Sequence, residues 1–502
     1  MANLLPDQLR MMAEAFPAEV GFSDVATGVD LTFGSWDRRS NGVARWLIEQ
    51  GVVPGDRVAI HVPPAEAAVF LVSYSAIHKA GAVAVPTSTR LVARELGYVL
   101  RHAGAVVAIS GASTTETLVA ARPDLPELRV IVTTGTPEAG LVSWDDVGVG
   151  DDEPIQVPIN GDAMADLMYT SGTTGRPKGV VVRHRDAAMM PNGLPRWSGA
   201  GWLHASPMFT FAGIASAYNP MKLGMRLLYL PRFDPEQWFD AVEHHRPAAT
   251  FLVPAMAELL IGSTRFEGAD LSSITMCPLG SAPVSPSTLQ RLQAKLPNAM
   301  VSNSWGMTEA GPAFCFMPPA EQAKRVGSVG RPMAPTEFRI VDEQGEEQPA
   351  RVVGELLVRN PGREREYFND AEATATTWRD GWLHSGDLAF LDEDGFLYIV
   401  GRQKDVIIRG GNNVHASDVE TVLYEHPAVR EAAVAGIAHP VLGEDVAAWV
   451  VLVAGVTVSA EELIAVCAER LSDYKVPRRV TFVTELPRNA TGKVVKHELP
   501  GR

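Results

Sequence analysis

Tyr169-Thr170-Ser171-Gly172-Thr173-Thr174-Gly175-Arg176-Pro177-Lys178-Gly179 is the stretch from which the chain is best read. The apolar run ADLMY ends at Tyr169 and VVV begins at Val180, so the segment reads as strand, loop, strand. Three glycines let backbone N–H groups come close to an anion, four hydroxyls can donate to phosphate oxygens, and Lys178 adds positive charge. These are the ingredients of a polyphosphate cradle. The segment is not a Walker A loop, because Pro177 precedes Lys178 and Gly179 follows it where that motif requires Gly-Lys-Ser/Thr. Taken alone, the same residues would also suit a polar hairpin loop.

Outward from this loop, the apolar runs VAI (58–60), AVAVP (82–86), VVAIS (106–110), RVIVTT (129–134) and ATFLVP (249–254) alternate with helical patterns. That rhythm predicts α/β layers. From about Val326 to Arg402 the pattern changes to short alternating segments, FRIVD, GELLVRN and GFLYIVGR, divided by turn residues, which predicts a β-rich subdomain. Beyond Gly401 the chain returns to α/β. There, Ser417 with Glu420 and Ser459 with Glu462 read as capping boxes that start two helices, the second burying Leu463, Val466, Cys467 and Leu471 on one face. The fold class is therefore multi-domain α/β: a large N-terminal part over 1–401 with the β-rich subdomain at about 326–400, and a small α+β part over 406–502. No repeat or low-complexity tract interrupts it.

Composition narrows the class of partner. The chain has 502 residues and 44 Lys plus Arg against 59 Asp plus Glu, a formal charge of −15, which argues against nucleic-acid binding. At about 100–200 residues per domain, this length predicts two to four folding units, each able to bury its own core. Cys277, Cys315 and Cys467 are widely spaced and odd in number, so they are expected as apolar thiols and not as a disulfide framework or zinc site. Leu5, Leu9, Met12 and Phe16 recur at helical spacing with Asp7, Arg10 and Glu14 between them, which is unlike an export signal. The apolar stretch from Val69 to Val85 is interrupted by His78 and Lys79, short of the roughly 18 uninterrupted residues of a membrane span. A cytoplasmic protein is expected.

Seven further blocks follow the loop in order: Gly280-Ser281-Ala282-Pro283, Ser304-Trp305-Gly306-Met307-Thr308-Glu309, Gly354-Glu355-Leu356, Gly381-Trp382-Leu383-His384-Ser385-Gly386-Asp387, Gly401-Arg402-Gln403-Lys404-Asp405, Gly410-Gly411, and Leu486-Pro487-Arg488-Asn489-Ala490-Thr491-Gly492-Lys493. With them the chain resembles the adenylate-forming acyl-CoA synthetases, relatives of firefly luciferase and of peptide-synthetase adenylation domains, over nearly its whole length. The resemblance implies an acid–CoA ligase using ATP, Mg²⁺ and CoA. A carboxylate attacks the α-phosphorus of ATP to give acyl-AMP and pyrophosphate, and the CoA thiol then displaces AMP. Two anions must meet in the first step, so cationic groups have to offset their repulsion.

By the same resemblance, Thr170 and Glu309 lie near Mg²⁺, an ion that prefers oxygen ligands and often takes only one or two from protein. Thr308 bonds the α-phosphate, while Ser171, Gly172, Thr173, Thr174, Gly175 and Lys178 cradle the polyphosphate. Asp387 accepts the ribose hydroxyls, as a carboxylate can accept two hydrogen bonds, with Arg402 as second partner. Trp305, where the family more often has Tyr, stacks on adenine opposite Gly280, Ser281, Ala282 and Pro283, and Ser304, Gly306 and Met307 complete that block. Lys493 bridges the substrate carboxylate and the α-phosphate. The C-terminal part rotates between the two half-reactions about a hinge at 402–405, with Lys404 at its pivot. Gly410 and Gly411 then line a pantetheine tunnel, a role weighed against an ordinary turn; Lys475 is a weaker CoA-side candidate.

Two further positions depart from the family. Thr210 follows Pro207-Met208-Phe209 where many relatives have His, and His204 is out of register to replace it; Ala416 stands for a common proline. The expected acyl pocket reads Met208, Phe209, Phe211, Ala212, Gly213, Ile214, Ala215, Met256, Ala313 and Phe314, without a cation among them. A second carboxylate would be costly to bury there, which favours a largely apolar monocarboxylic acid: fatty, aromatic or sterol side-chain. No carrier domain follows Lys493, so free CoA is the expected acceptor. The alternatives are an acyl-AMP ligase that loads a carrier protein and a catalytically silent nucleotide-binding relative. Peripheral membrane contact and a homodimer are both compatible with the sequence.

Overall fold

The computed structural model describes residues 4–150, 152–171, 176–187, 190–312, 315–488 and 493–502. By contacts the chain divides into two compact units, one of Met1–Ala249, Met307–Pro312 and Arg363–Thr376, the other of Thr250–Gly306, Ala313–Gly362 and Thr377–Arg502.

The first unit is organised by an eight-stranded sheet in the order Glu366–Tyr367, Pro177–Arg183, Met164–Ser171, Val83–Pro86, Arg57–His61, Ala105–Ser110, Val130–Thr133, Val142–Ser143. From Met164–Ser171 to Val142–Ser143 the neighbours run parallel, and the two strands at the other edge are antiparallel. Val58, Ile60, Val107 and Ile109 join one buried cluster, which also takes in Leu5, Leu9 and Met12 of the helix Leu5–Ala15. The alternate residues Ala59, Val83, Val85, Ala108 and Ile131 join another. A parallel sheet covered on both faces needs such continuous apolar runs, and each run from VAI to RVIVTT supplies one. A second group in the unit sets Val20–Asp24 and Ala200–His204 parallel to Met225–Tyr229. The apolar stretch from residue 69 becomes the buried helix Ala67–Lys79 and the strand Val83–Pro86. No helix among the described residues is long and apolar enough to cross a membrane.

In the second unit Met276–Leu279 pairs parallel with Met300–Asn303. The expected β-rich subdomain is an antiparallel sheet: Glu337–Val341 pairs with Gly354–Arg359, which pairs with the long strand Trp382–Leu391, and Leu397–Arg402 pairs with that strand in turn. The C-terminal sheet centres on Gly443–Leu452, flanked by Val429–His439 antiparallel and Arg479–Phe482 parallel. Helices Ala416–Tyr424 and Ala460–Arg470 contribute Val419, Leu423, Leu463 and Cys467 to the cluster on one face of it. Cys277 and Cys467 are buried thiols, as expected, and burial pushes Cys277 up to about 12.

Of the two serines, Ser459 caps its helix, without a reciprocal bond from Glu462, and Ser417 does not. Ser459 Oγ accepts from the Glu462 amide at 3.1 Å. The other helix begins at Ala416, with His415 before it and no side-chain cap. Ser417 lies inside the first turn, where its hydroxyl donates to the Val400 carbonyl, and Glu420 accepts from the Val434 amide at 2.8 Å. A carbonyl and an amide from neighbouring strands thus outcompete the reciprocal cap.

Three histidines of the first unit are buried neutral. Burial holds His61 down to about 4, and His184 and His204 to about 3, against an ordinary 6.5. The unfolded chain takes up protons at these sites below pH 6.5 and the folded chain does not, so folding loses stability as pH falls from there toward 4. The three together contribute roughly 4 kcal/mol per pH unit at most. Thermal melting between pH 7 and 5 is expected to show a falling midpoint, and His184→Gln should flatten that slope by about a third.

Candidate active site

Within the first unit, the strands Met164–Ser171 and Pro177–Arg183 pair in a register that sets Thr170 opposite Lys178 and Tyr169 opposite Gly179. A Cβ on Gly179 would stand 2.9 Å from Leu167 Cδ1 and 3.2 Å from the Tyr169 ring, so a larger residue there would have to displace those side chains. Gly172, Thr173, Thr174 and Gly175 lie outside the described residues, as does the side chain of Ser171.

Thr170 Oγ1 donates to Glu309 Oε1 at 3.2 Å. Tyr367 Oη donates to the same oxygen at 3.2 Å, and Lys178 Nζ sits 4.9 Å from the Tyr367 ring centroid. Three stretches distant in sequence therefore meet around one carboxylate. Arg365, two residues before Tyr367 and 6% exposed, donates through Nη1 to the Thr308 carbonyl and lies 5.0 Å from the Phe211 ring centroid. Burial pushes its guanidinium down to about 10, opposed by the charges of Asp186 and Glu309. Asp186 is itself buried, which raises its carboxyl, while Arg365 and Arg185 act the other way.

Neither Arg365 nor Tyr367 stands out in the sequence, since Arg363-Glu364-Arg365-Glu366-Tyr367 reads as a solvated charge run. The signal that could have found them is period two. Glu366–Tyr367 is a strand paired with Val180 and Val181, so residues 365 and 367 share a face, while Glu366 turns the other way to pair with Arg183 at 2.6 Å.

Thr210, where the resemblance leads one to expect His, caps the helix Phe211–Lys222. Its hydroxyl accepts from the Gly213 amide at 3.0 Å and donates to the Pro207 carbonyl at 2.8 Å. A Cβ on Gly213 would stand 2.0 Å from that same carbonyl. Residue 210 therefore has a structural duty, with both hydroxyl functions committed locally. Met208 and Phe209 line a small apolar niche with Val62, Pro63, Ala67 and Phe70. Ala313 and Phe314 lie outside the described residues.

In the second unit Asp387 is buried and engaged through both carboxylate oxygens. Trp305 Nε1 donates to Oδ2 at 2.7 Å, and Arg402 Nε stands 3.1 Å from Oδ1. The Trp305 indole thus serves as a hydrogen-bond donor to this carboxylate. Ser304 Oγ donates to the Leu279 carbonyl at 2.6 Å, and a Cβ on Gly280 would fall 2.6 Å from Ser304 Oγ, so the two blocks pack through glycine. Ser281 adopts φ 70°, a left-handed conformation that is uncommon outside glycine.

Lys404 is exposed in the short turn Gln403–Asp405. Gly410 and Gly411, at φ 57° and 83°, join Val406–Arg409 to Asn412–His415, and that tight turn is sufficient reason for both glycines. Lys475 Nζ pairs with Asp418 at 2.6 Å. Lys493 is exposed, next to an antiparallel bridge between Arg488 and Val494; residues 489–492 lie outside the described residues.

Residues 9–368 match the AMP-binding enzyme family and residues 418–493 match the AMP-binding enzyme C-terminal domain. The chain belongs to the AMP-binding enzymes. Among its relatives is a feruloyl-CoA synthase of Amycolatopsis sp, 37% identical over 482 residues, which cover 95% of this chain and 94% of that protein. Another is a long-chain-fatty-acid–CoA ligase of Mycobacterium tuberculosis, 30% identical over 518 residues, covering 97% and 96%. Among solved structures, the anthranilate CoA ligase AuaEII in complex with anthranoyl-AMP superposes with a TM-score of 0.89 at 26% identity, covering 99% of this chain and 96% of that one.

For this AMP-binding enzyme, Trp305→Phe keeps an aromatic face and removes the donor to Asp387. AMP affinity measured by titration calorimetry should fall about threefold to tenfold, the scale of one hydrogen bond, with the melting midpoint little changed.

Proposed function

We propose that the chain is an AMP-forming acid–CoA ligase acting on a largely apolar monocarboxylic acid, with free CoA as acceptor. The observation that carries this reading is the Glu309 carboxylate held by the hydroxyls of Thr170 and Tyr367 beside Lys178. A fixed carboxylate next to hydroxyls and an ammonium suits a hard divalent cation on a polyphosphate, and the donors are all oxygen. They fit Mg²⁺, with Glu309 and Thr170 as the protein's side of its shell. When bound, the ion screens phosphate charge as the acid approaches.

The chain's own residues divide the rest. Lys178 and the loop that precedes it hold the β- and γ-phosphates, and Thr308 orients the α-phosphate. Asp387, already polarised by Trp305 and Arg402, accepts the ribose hydroxyls, while the Trp305 ring and residues 280–283 take adenine. Lys493 places positive charge where the incoming carboxylate and the α-phosphate develop it. In this reading the parts are 1–401, a hinge at 402–405 turning about Lys404, and a C-terminal part at 406–502. Gly410 and Gly411 receive the pantetheine arm, and Lys475 stands on the CoA side. The location is the cytoplasm, where ATP and CoA are supplied.

The substrate preference draws on Phe211 and the small residues 212, 213 and 215. Arg365 stands against Phe211, but its charge already faces Asp186 and Glu309, so it is not a receptor for a second carboxylate. Feruloyl and long-chain fatty acyl groups in the names of some relatives agree with an apolar monoacid, whereas others are named for the diacid 2-succinylbenzoate.

A panel of aromatic and fatty acids assayed for AMP release should show CoA-dependent thioester formation for monoacids, and little with the matching diacids. Turnover only with a phosphopantetheinyl carrier protein would overturn the CoA assignment. Lys493→Ala should lower acid-dependent pyrophosphate exchange on the order of a hundred- to thousand-fold while sparing thioester formation from supplied acyl-AMP; equal loss of both would remove the lysine from its role.

A further inference from the structure

Glu309 is useful to a nucleotide only if its carboxylate points the right way, and its direction depends on the peptide that precedes it. The carbonyl of Thr308 and the amide of Glu309 share one plane, so a bond to that carbonyl orients the whole unit. Arg365 Nη1 supplies this bond. Two residues on, Tyr367 Oη reaches Glu309 Oε1 at 3.2 Å. Alternation along an extended segment puts both side chains on one face, and the pairing of Glu366–Tyr367 with Val180 and Val181 ties that segment to the strand carrying Lys178.

We propose that Arg365 and Tyr367 form a two-pronged clamp on Glu309, one prong on the Thr308 carbonyl that precedes it and one on its carboxylate, and that Arg365 is a positioning residue for metal-bound polyphosphate. This rests on the proposed function. Three observations favour it over a merely structural arginine. The guanidinium is buried, which is costly for a charge unless its contacts require it. It is spent on a main-chain carbonyl of the AMP-binding block and not on a close salt bridge with Asp186, whose oxygens carry no hydrogen bond among the described residues. Gly311, three residues beyond Thr308, is at φ 78°, and a Cβ there would stand 3.1 Å from Arg365 Nη2, so the loop passes tightly around the guanidinium.

Arg365→Gln removes the prong but also takes away the foremost of the cationic charges acting on Asp186, so a second variant, Arg365→Gln/Asp186→Asn, takes away that carboxylate as well. The readout is binding. ATP affinity is measured by titration calorimetry with saturating Mg²⁺ and with chelator, and AMP affinity alongside, because AMP carries no β- or γ-phosphate. The clamp predicts that both variants lose at least tenfold in Mg²⁺-dependent ATP affinity and stay within twofold of the parent for AMP. It also predicts that the double variant recovers the parent's melting midpoint without recovering the ATP effect.

Recovery of ATP affinity together with stability in the double variant would overturn the proposal, since Arg365 would then only neutralise Asp186. Unchanged ATP binding in both variants, or an equal loss for ATP and AMP, would overturn it too. Failure of the parent enzyme itself to bind ATP would instead overturn the proposed function, and the clamp with it, so the two failures are told apart.

Discussion

The rest of the site depends on how one carboxylate is held. Glu309 takes hydroxyl donors from Thr170, at the end of a sheet strand, and from Tyr367, on the edge strand of the same sheet, while Arg365 grips the peptide just before it. An unsupported glutamate would sample several rotamers, and a cation held by it would wander with them. Fixing it from three sides is what preorganisation means in a site that must bring two anions together, because no free energy is then spent reorienting dipoles when charge moves.

The eight-stranded sheet makes that support possible. Its central strands are buried on both faces by two separate apolar clusters, so the antiparallel pair Met164–Ser171 and Pro177–Arg183 beside them rests on a rigid base. Sites built on strands are more exact than sites on free loops. In the second unit Asp387 is treated similarly, one oxygen drawn by Trp305 and the other by Arg402. Each oxygen keeps lone-pair capacity for a diol, which is why a carboxylate tolerates two protein partners and still has work to do.

Much of this is legible in the residues. Apolar runs announce the strands of both units, and the ordered blocks point to Thr170, Lys178, Glu309, Asp387 and Arg402. Local pattern fails where a distant partner decides. The Ser417 hydroxyl is expected to cap a helix and instead bonds to Val400, because the helix starts two residues earlier than the capping signal implies. Arg365 hides in a run of alternating charges whose inward face is visible only once a neighbouring strand is known. Thr210 looks like a missing histidine, yet in the fold it is a helix cap whose hydroxyl is fully used. The Trp305 indole N–H could not be paired in advance with a residue 82 positions away.

What remains decisive is which bonds of ATP and acid are exchanged. With an acid labelled by ¹⁸O in both carboxylate oxygens, attack on the α-phosphorus followed by thiol displacement must leave one labelled oxygen in AMP and none in pyrophosphate, as mass spectrometry of the products would record. Label recovered in inorganic phosphate, with ADP formed in place of AMP, would mean that the acid is activated at the terminal phosphate, and would contradict adenylate formation at this site.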